Sequence, residues 1–254
     1  MKALITGAAK GIGNALAEQI LSKDGHVVSV DFDELALAAM AQKWPGRCDC
    51  RNVDLSKADA VDNLLDRLEA SDPFDLVVLN AGINATGPFE EIPVSAYHTM
   101  LEVNAQSVIT MATALVRDGL MATNSSMVLI SSLSHAVGYP GASVYAASKD
   151  AIAIYSNSVR KRFRAERVHL MTVYPGPVKT GHAKRHAPSG ADASKRMEPQ
   201  ELARRILDAA GKRKSELYPG LAAKGSHALG WLLPGSATKL MRRIIFDKLD
   251  RSEF

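Results

Sequence analysis

The chain is poor in cysteine, and this scarcity limits what it can be. Among 254 residues only Cys48 and Cys50 are cysteines. Two thiols cannot form the disulfide framework of a small secreted domain, and a metal centre built on them would need two further ligands. Because one residue separates them in a predicted strand, they share a face without easily reaching disulfide geometry. We therefore expect two reduced, structural thiols and no metal.

Long apolar runs are lacking too. The sequence has no span of 18 apolar residues, so it predicts no transmembrane helix. Met1 and Lys2 lead directly into a predicted strand without a signal-peptide pattern, which favours a cytoplasmic location. The 31 basic residues exceed the 27 acidic residues, but they are spread along the chain rather than gathered in one run. We expect no nucleic-acid partner.

The sequence also lacks low-complexity tracts and internal repeats, and 46% of its residues are hydrophobic. This composition is typical of a globular protein, and the length fits one large domain. We predict a single α/β domain over residues 1–254. Within it we expect a substrate loop at about residues 181–196 and a C-terminal helical segment at about residues 221–250.

Glycines follow the first predicted strand, residues 2–6, in the pattern Gly7-x-x-x-Gly11-Ile12-Gly13. A helical pattern and a second predicted strand complete a β-α-β unit of about 30 residues. Glycine lets the backbone approach a pyrophosphate, whose charge is favoured by the unpaired amides at a helix N-terminus. The pattern therefore predicts a dinucleotide-binding turn. A tight strand-to-helix turn without a ligand remains the alternative.

Two residues near this turn favour different coenzymes. Asp31 ends the second predicted strand, residues 27–30, where a carboxylate accepts hydrogen bonds from ribose hydroxyls and repels a 2′-phosphate. Lys10 lies in the turn itself and favours NADP if it pairs with that phosphate. One well-placed carboxylate suffices to exclude a phosphate, so we expect NAD, with NADP as the alternative.

Further candidate coenzyme contacts follow later predicted strands, because ligands of such sheets lie beyond the carboxyl ends of the strands. Asp54 and Leu55 follow residues 47–53, where Asp54 is either an adenine ligand or a turn residue. The other candidates are Asn80, Ala81 and Gly82 after residues 75–79, and Pro175, Gly176, Val178 and Thr180 after residues 168–174. Asn80 has the alternative role of stabilising its own turn.

A candidate proton-transfer site combines Ser132, Tyr145 and Lys149. Ser132 follows a predicted strand at residues 126–131. If residues 142–164 are helical, Tyr145 and Lys149 lie one turn apart on one face. A nearby ammonium favours the phenolate, so we expect Lys149 to lower the pKa of Tyr145 toward neutrality, where a general acid/base works best. Ser132 would hydrogen-bond the same substrate oxygen.

A long helical pattern over residues 94–121 contains Asn104. Asparagine disrupts the middle of a helix slightly, so its position calls for a reason. A break there would free a backbone carbonyl to hold a water molecule near Lys149. Asn104 is therefore a fourth candidate active-site residue. His135, Tyr139 and Trp231 are candidates to line a substrate pocket, although each also fits simple packing.

The last third of the chain supports less specific predictions of structure and function. Residues 181–196 are polar, and a mobile segment there would close over substrate, although a plain surface loop fits equally well. His182 and His186 have helical ligand spacing, but their polar surroundings favour solvated histidines. A predicted C-terminal helix carries an apolar stripe opposite basic residues: Leu240, Met241, Ile244, Ile245 and Leu249. Packing within the protein or an oligomer is favoured over membrane-surface contact.

Together these motifs resemble the short-chain dehydrogenase/reductase family, in its compact branch of about 250 residues. The matching residues occur in the family's order along nearly the whole chain: Thr6-Gly7-x-x-x-Gly11-Ile12-Gly13, Asn80-Ala81-Gly82, Asn104, Ser132, Tyr145-x-x-x-Lys149 and Pro175-Gly176. The resemblance implies a Rossmann-like, doubly wound three-layer sandwich with a seven-stranded parallel sheet. It also implies hydride transfer between a nicotinamide coenzyme and a secondary alcohol or ketone.

The resemblance assigns roles as well. Tyr145 would exchange the proton, Ser132 would orient the carbonyl or hydroxyl, and Lys149 would bind the nicotinamide ribose and lower the pKa of Tyr145. Asn104 would hold a water molecule in the proton relay. By the same resemblance, the helices that carry Asn104 and Tyr145 would pair in a homodimer or homotetramer. The competing hypotheses are a catalytically silent nucleotide-binding scaffold or sensor, and a membrane-docked lipid ketone reductase.

Overall fold

The computed structural model describes residues 1–69, 72–136, 139–187, 190, 192–220, 232–244, 246–249 and 252–253. Seven parallel strands form one sheet in the order β3-β2-β1-β4-β5-β6-β7. The strands are β1 Lys2–Thr6, β2 His26–Asp31, β3 Cys48–Asn52, β4 Phe74–Leu79, β5 Met121–Ile130, β6 His169–Val173 and β7 Glu216–Leu217. The predicted fold class is confirmed.

Helices connect the strands on both faces of the sheet, as parallel strands require. The α-helices are α1 Gly11–Leu21, α2 Glu34–Lys43, α3 Ala58–Glu69, α4 Val94–Leu101, α5 Ser107–Arg117, α6 Ser143–Ala165, α7 Gly181–Arg185, α8 Pro199–Gly211 and α9 Pro234–Ile244. A π-helical segment, Glu102–Gln106, lies between α4 and α5. Short 3₁₀ turns occur at Leu133–Ala136, Ala193–Lys195 and Phe246–Lys248.

The sheet separates two apolar layers, because neighbouring residues of a strand point to opposite faces. In β1, Ile5 packs into the layer with α1 and α8, whereas Leu4 packs into the layer with α3, α5 and α6. Both side chains are completely buried. This two-sided burial explains why the central strands read as nearly continuous apolar runs.

The order of the strands positions the site. From β1 the chain continues to β2 and β3 on one side, and the later strands β4 to β7 lie on the other. The connections therefore leave β1 and β4 in opposite directions, which opens a crevice beyond their carboxyl ends. The glycine turn after Thr6 and the Asn80 turn after Leu79 meet at this crevice.

Two expectations about the elements need correction, and one helix was not predicted. The helical pattern at residues 94–121 is not one helix, because α4 ends at Leu101, α5 ends at Arg117, and Met121 begins β5. The segment at 181–196 contains α7 and a 3₁₀ turn, so it is not a plain loop. Helix α2 occupies a stretch in which the sequence pattern indicated no element; only Leu37 and Met40 of that helix are buried.

The C-terminal residues return to the body of the molecule. The helix α9 was predicted, but Ile245 of its apolar stripe lies outside the described residues. Beyond it, the backbones of Thr86 and Glu253 exchange two hydrogen bonds of 2.8 Å in an antiparallel bridge. Leu249 and Phe246 lie against Gly141. Among the described residues, no helix is long and apolar enough to cross a membrane.

Candidate active site

The glycine turn is built for close backbone contacts. Gly7 and Gly11 have φ of +64° and +57°, a conformation that side-chain-bearing residues rarely adopt. A Cβ at Gly13 would lie 2.0 Å from the Gly7 carbonyl oxygen, so only glycine lets α1 pack here. Lys10 at the N-cap of α1 makes no side-chain capping bond. The first amides of the helix therefore stay available for an anion.

Asp31 is held against this turn. Its Oδ2 accepts a hydrogen bond from Ala9 N at 2.9 Å, and its Oδ1 accepts one from Asp33 N at 3.1 Å. Each carboxylate oxygen keeps acceptor capacity beyond these bonds. Lys10 forms an ion pair with Asp33, and that pair lowers the pKa of Asp33. The carboxylates of Asp31 and Asp33 therefore both lie beside the glycine turn, where the two coenzymes NAD and NADP would differ by a 2′-phosphate.

The turn after β4 joins the glycine turn through Asn80. Its Nδ2 donates to the carbonyl oxygens of Thr6 and Gly7 at 3.0 and 3.1 Å. Thr6 Oγ1 in turn accepts hydrogen bonds from the amides of Asn80 and Ala81. These contacts give Asn80 the turn-stabilising role that was its alternative. They fix the two strand ends that border the crevice.

Gly82 brings this turn to the lysine. A Cβ at Gly82 would lie 3.1 Å from Lys149 Nζ and 3.3 Å from Asn104 Oδ1. Any larger residue would therefore crowd both side chains. Because Gly82 has no side chain, the turn after β4 can approach both Asn104 in the π-segment and Lys149 in α6.

Asn104 lies in the π-segment and is completely buried. Its Nδ2 donates to Ile83 O at 2.8 Å and to Ser148 Oγ at 3.1 Å, while its Oδ1 accepts from Ile83 N at 2.8 Å. The helix is not broken at Asn104 but widens into a π-segment there, a feature that often marks functional sites. The side chain itself connects the β4 turn to α6.

Helix α6 carries Tyr145 and Lys149 on one face, as predicted. Lys149 Nζ lies 5.9 Å from the centre of the Tyr145 ring and donates to Ile130 O at 3.0 Å. Ser131 Oγ donates to the backbone oxygen of Lys149 at 2.7 Å, which fixes the helix to the end of β5. Ser132 follows in the chain and lies close enough to the Tyr145 phenol to lower its pKa. The three predicted side chains therefore lie together.

Their pKa values differ from the expectation. Burial raises the pKa of Tyr145 above its ordinary value, and the hydrogen bond with Ser132 offsets only part of that effect. Burial also lowers the pKa of Lys149 to about 8, because the ammonium is only 3% exposed. The expectation that Lys149 brings the pKa of Tyr145 toward neutrality is wrong for the chain by itself. Desolvation is the largest cause of the pKa shift of both groups.

Two residues that are candidates to line a substrate pocket, Tyr139 and His135, lie near other aromatic side chains. Burial and the nearby Tyr145 raise the pKa of Tyr139 to about 12. His135 stacks at a tilt on Tyr174, with ring centres 4.4 Å apart. His135 and Tyr139 remain candidates to line the substrate pocket. Trp231, a further candidate for the pocket, lies outside the described residues.

The segment after β6 reaches back to the glycine turn. Leu133 N donates to Pro175 O at 3.2 Å, and Gly176 lies against Leu133. Val178 is buried, and Thr180 caps α7 by accepting a hydrogen bond from Ala183 N. A Cβ at Gly11 would lie 3.1 Å from the Thr180 methyl group. Thr180 therefore borders the predicted coenzyme site.

The expectation of two solvated histidines is wrong for His186. That residue is buried, and its Nδ1 lies 3.2 Å from Thr86 Oγ1. His182 is exposed on α7, and its ring centre lies 5.0 Å from that of His186. No group of three or more potential metal ligands occurs in the described part of the chain.

Two candidates have local roles. Asp54 Oδ1 accepts from Ser56 N at 2.9 Å, and hydrogen bonds from Ser56 lower the pKa of Asp54. That is the turn-residue alternative, and Leu55 beside it is buried in the core. Several supporting residues escaped the sequence analysis because only tertiary contacts reveal them: Ile83, Thr86, Ser131 and Ser148.

The parallel sheet and the glycine turn are typical of dinucleotide-binding α/β proteins. Comparison with known proteins identifies the family within this class. The family model described as short chain dehydrogenase matches residues 1–189. The chain belongs to this short-chain dehydrogenase/reductase family, whose members are oxidoreductases of alcohol and ketone groups.

Two curated relatives show how far the similarity reaches. Nodulation protein G of Rhizobium sp. (strain N33) is 30% identical over 177 residues, which cover 69% of this chain and 72% of the relative. Cis-4-hydroxycyclohexanecarboxylate dehydrogenase of Sinomonas cyclohexanicum is 30% identical over 178 residues, covering 68% of this chain and 72% of the relative.

Solved structures share the fold. A short chain dehydrogenase/reductase from Burkholderia phymatum in complex with NAD superposes with a TM-score of 0.79 at 23% identity, covering 90% of this chain and 92% of that one. A short-chain dehydrogenase from Sphingobium yanoikuyae in complex with NADPH has a TM-score of 0.77 at 23% identity, covering 96% and 95%. At this identity the likeness concerns the fold alone.

Proposed function

We propose that the chain interconverts a secondary alcohol and a ketone by hydride transfer with a nicotinamide coenzyme, and that Tyr145 is its general acid/base. The observation that carries this proposal is the cluster of Ser132, Tyr145 and Lys149 at the carboxyl edge of the sheet, beside the glycine turn. A phenol, a hydroxyl and a buried ammonium there can hold and move one proton.

The residues at the crevice fit such a coenzyme. The uncapped amides at the N-terminus of α1 and the glycine turn suit a pyrophosphate. Asp31 would hold the adenosine ribose. An ammonium has three donors, and Lys149 uses one on Ile130 O, which leaves donors for the hydroxyls of a nicotinamide ribose. A bound nicotinamide supplies or accepts the hydride.

The polar contacts favour NAD over NADP. Asp31 and Asp33 both lie beside the glycine turn, and a 2′-phosphate there would meet two carboxylates. The ammonium of Lys10 already pairs with Asp33. Binding NADP would require breaking this pair, so we infer a preference for NAD.

Proton transfer then follows from the position of the phenol. Tyr145 keeps its proton at neutral pH because burial raises its pKa. It would donate this proton to the oxygen of a ketone while Ser132 hydrogen-bonds the same oxygen. In the oxidative direction the phenolate would accept the proton of the alcohol. Asn104 would hold the β4 turn and α6 in register around this site.

Domain organisation, location and assembly belong to the same proposal. We infer a single domain over residues 1–254, a cytoplasmic location, and a homodimer or homotetramer that pairs the helices carrying Asn104 and Tyr145. The substrate would be a small-molecule alcohol or ketone that enters past α7.

Replacing Tyr145 by phenylalanine tests the proposal. Turnover of any alcohol or ketone found by screening with NADH or NAD should fall at least about 100-fold, since a general acid contributes that much, while coenzyme affinity should stay unchanged. Tyr155→Phe is the matched control, because it removes a phenol of the same helix that contacts Thr113 instead of the site. Retained turnover in Tyr145→Phe would refute the role of Tyr145. Coenzyme binding without turnover of any substrate would favour the silent scaffold.

A further inference from the structure

A cavity at the opposite end of the sheet concentrates positive charge. Its volume is about 300 Å³. Its lining includes four arginines, Arg160, Arg164, Arg167 and Arg213. The remaining lining residues are Asn124, Val168, His169, Leu170 and Ser215. The cavity therefore lies near the amino end of β6, whereas the glycine turn lies at the carboxyl ends of the strands.

The distance along α6 separates this cavity from the candidate active site. Tyr145 lies in the first turn of the helix and Arg164 in its last, and 19 residues at 1.5 Å each span about 28 Å. The cavity is thus too distant to hold part of a substrate or coenzyme bound at the crevice. Its charge needs a separate explanation.

The arginines have few acidic partners in the described part of the chain. Arg160 NH2 lies 3.9 Å from Glu216 Oε1, and Arg213 NH2 donates to Asn124 O at 2.6 Å. Arg164 and Arg167 make no ion pair among the described residues. The helices α6 and α8 end nearby with partial negative charges of about one half each. Together with the carboxylate of Glu216, these partial charges offset about half of the four guanidinium charges.

Two buried side-chain nitrogen atoms at the cavity also have no hydrogen-bond partner within the usual distance and angle. Arg160 Nε and His169 Nε2 are both shielded from solvent, and neither has a partner at normal hydrogen-bond geometry. Unsatisfied buried nitrogen atoms are rare in proteins, and a bound water molecule or ion is one explanation for them. Burial, together with the charges of Arg213 and Arg160, lowers the pKa of His169, so both cations lie close to it. All three side chains line the same cavity.

We propose that this cavity binds a small phosphorylated anion, with a diphosphate group as its core. Guanidinium groups bind phosphate oxygens through paired hydrogen bonds, and several of them can share one diphosphate. The volume is at the lower end of ligand pockets, which fits a diphosphate or a small diphosphate ester. The site is independent of the active-site proposal.

Calorimetric titration with inorganic pyrophosphate at constant ionic strength tests the site. With NADH present to occupy the glycine turn, the wild-type chain should bind one pyrophosphate. The Arg164→Gln/Arg167→Asn variant should bind at least ten-fold more weakly. Asparagine suits position 167, where φ is +59°. Circular dichroism and thermal unfolding would check that each variant is folded.

The control variant is Arg117→Gln/Arg204→Gln, which removes two exposed, ion-paired arginines elsewhere and makes the same change in net charge. Its affinity should equal that of the wild type. No binding to the wild type would overturn the proposal. Equal weakening in both variants would show general charge attraction, and no weakening in either would place the anion at another site. Both results would also overturn it.

Discussion

Asn104 and Ile83 exchange two hydrogen bonds of 2.8 Å, one from the side-chain amide to the backbone oxygen and one from the backbone amide to the side-chain oxygen. This pair joins the π-segment to the turn after β4. Because Asn104 also donates to Ser148 Oγ, the same side chain ties that turn to α6. One buried amide thus holds together the three elements that border Lys149.

Replacing Asn104 by leucine should destabilise the fold. The change leaves both backbone groups of Ile83 without their partner, and such losses cost about 1–3 kcal/mol each. We expect the free energy of unfolding in urea to fall by about 3 kcal/mol. Asn63→Leu on the exposed face of α3 is the control and should change it by less than about 0.5 kcal/mol. Equal losses in the two variants would show that the hydrogen bonds of Asn104 add no more to the free energy of unfolding than an exposed asparagine does.

Lys149 should make stability depend on pH in the alkaline range. Its pKa is about 8 in the folded chain, against an ordinary value of 10.5. Between these values the unfolded chain binds more protons, so stability rises with pH, by up to about 3 kcal/mol. Lys149→Met should be more stable than the wild type at pH 7, and the difference should shrink toward pH 10. A difference that does not change with pH would contradict the lowered pKa.

The raised pKa of Tyr145 sets opposite pH profiles for the two reaction directions. Reduction needs the protonated phenol, which is fully present at neutral pH and is lost only above the raised pKa. Oxidation needs the phenolate, so its kcat/KM should rise about ten-fold per pH unit from pH 7 to 9. Steady-state rates in both directions measure these slopes. An oxidation profile that levels off below pH 8 would show that Lys149 lowers the pKa of Tyr145 after all.

Coenzyme preference should respond to Asp33, although Asp33 is not expected to contact NAD. Asp33→Ala releases the ammonium of Lys10 from its ion pair. We expect NADPH to bind about ten-fold more tightly to this variant, because the freed lysine can meet the 2′-phosphate and a repelling carboxylate is gone. Asp62→Ala on exposed α3 is the control. An unchanged ratio of NADPH to NADH affinity would exclude Lys10 from coenzyme selection.

The sequence predicted the sheet well for a physical reason. Strands buried on both faces are short apolar runs, so β1 was found with both its ends and β2, β3, β4 and β6 to within one residue. The start of β5 was missed, because Met121 lies five residues before the predicted strand. Helix α2 was missed because only Leu37 and Met40 are buried, and the stretch therefore lacks a clear apolar face. The position of Asn104 indicated an irregularity in the helix, but the π-segment depends on contacts with Ile83 that no local pattern encodes.

The composition of the site was predictable and its electrostatics were not. Helical spacing alone places Tyr145 beside Lys149, whereas their pKa values depend on how deeply distant elements bury them. The pairing of Glu253 with Thr86 joins residues far apart in the chain, and no local signal indicates it. The arginine cavity likewise gathers residues from α6, from β5 and from the segment after α8.

Coenzyme binding at the glycine turn is tested best by titrating the purified chain with NADH and NADPH while following nicotinamide fluorescence. We expect saturable binding of NADH at one site per chain and weaker binding of NADPH. Asp31→Ala should lose at least about ten-fold in NADH affinity, because two charge-assisted hydrogen bonds disappear. Failure of the chain to bind either coenzyme would contradict the proposed function.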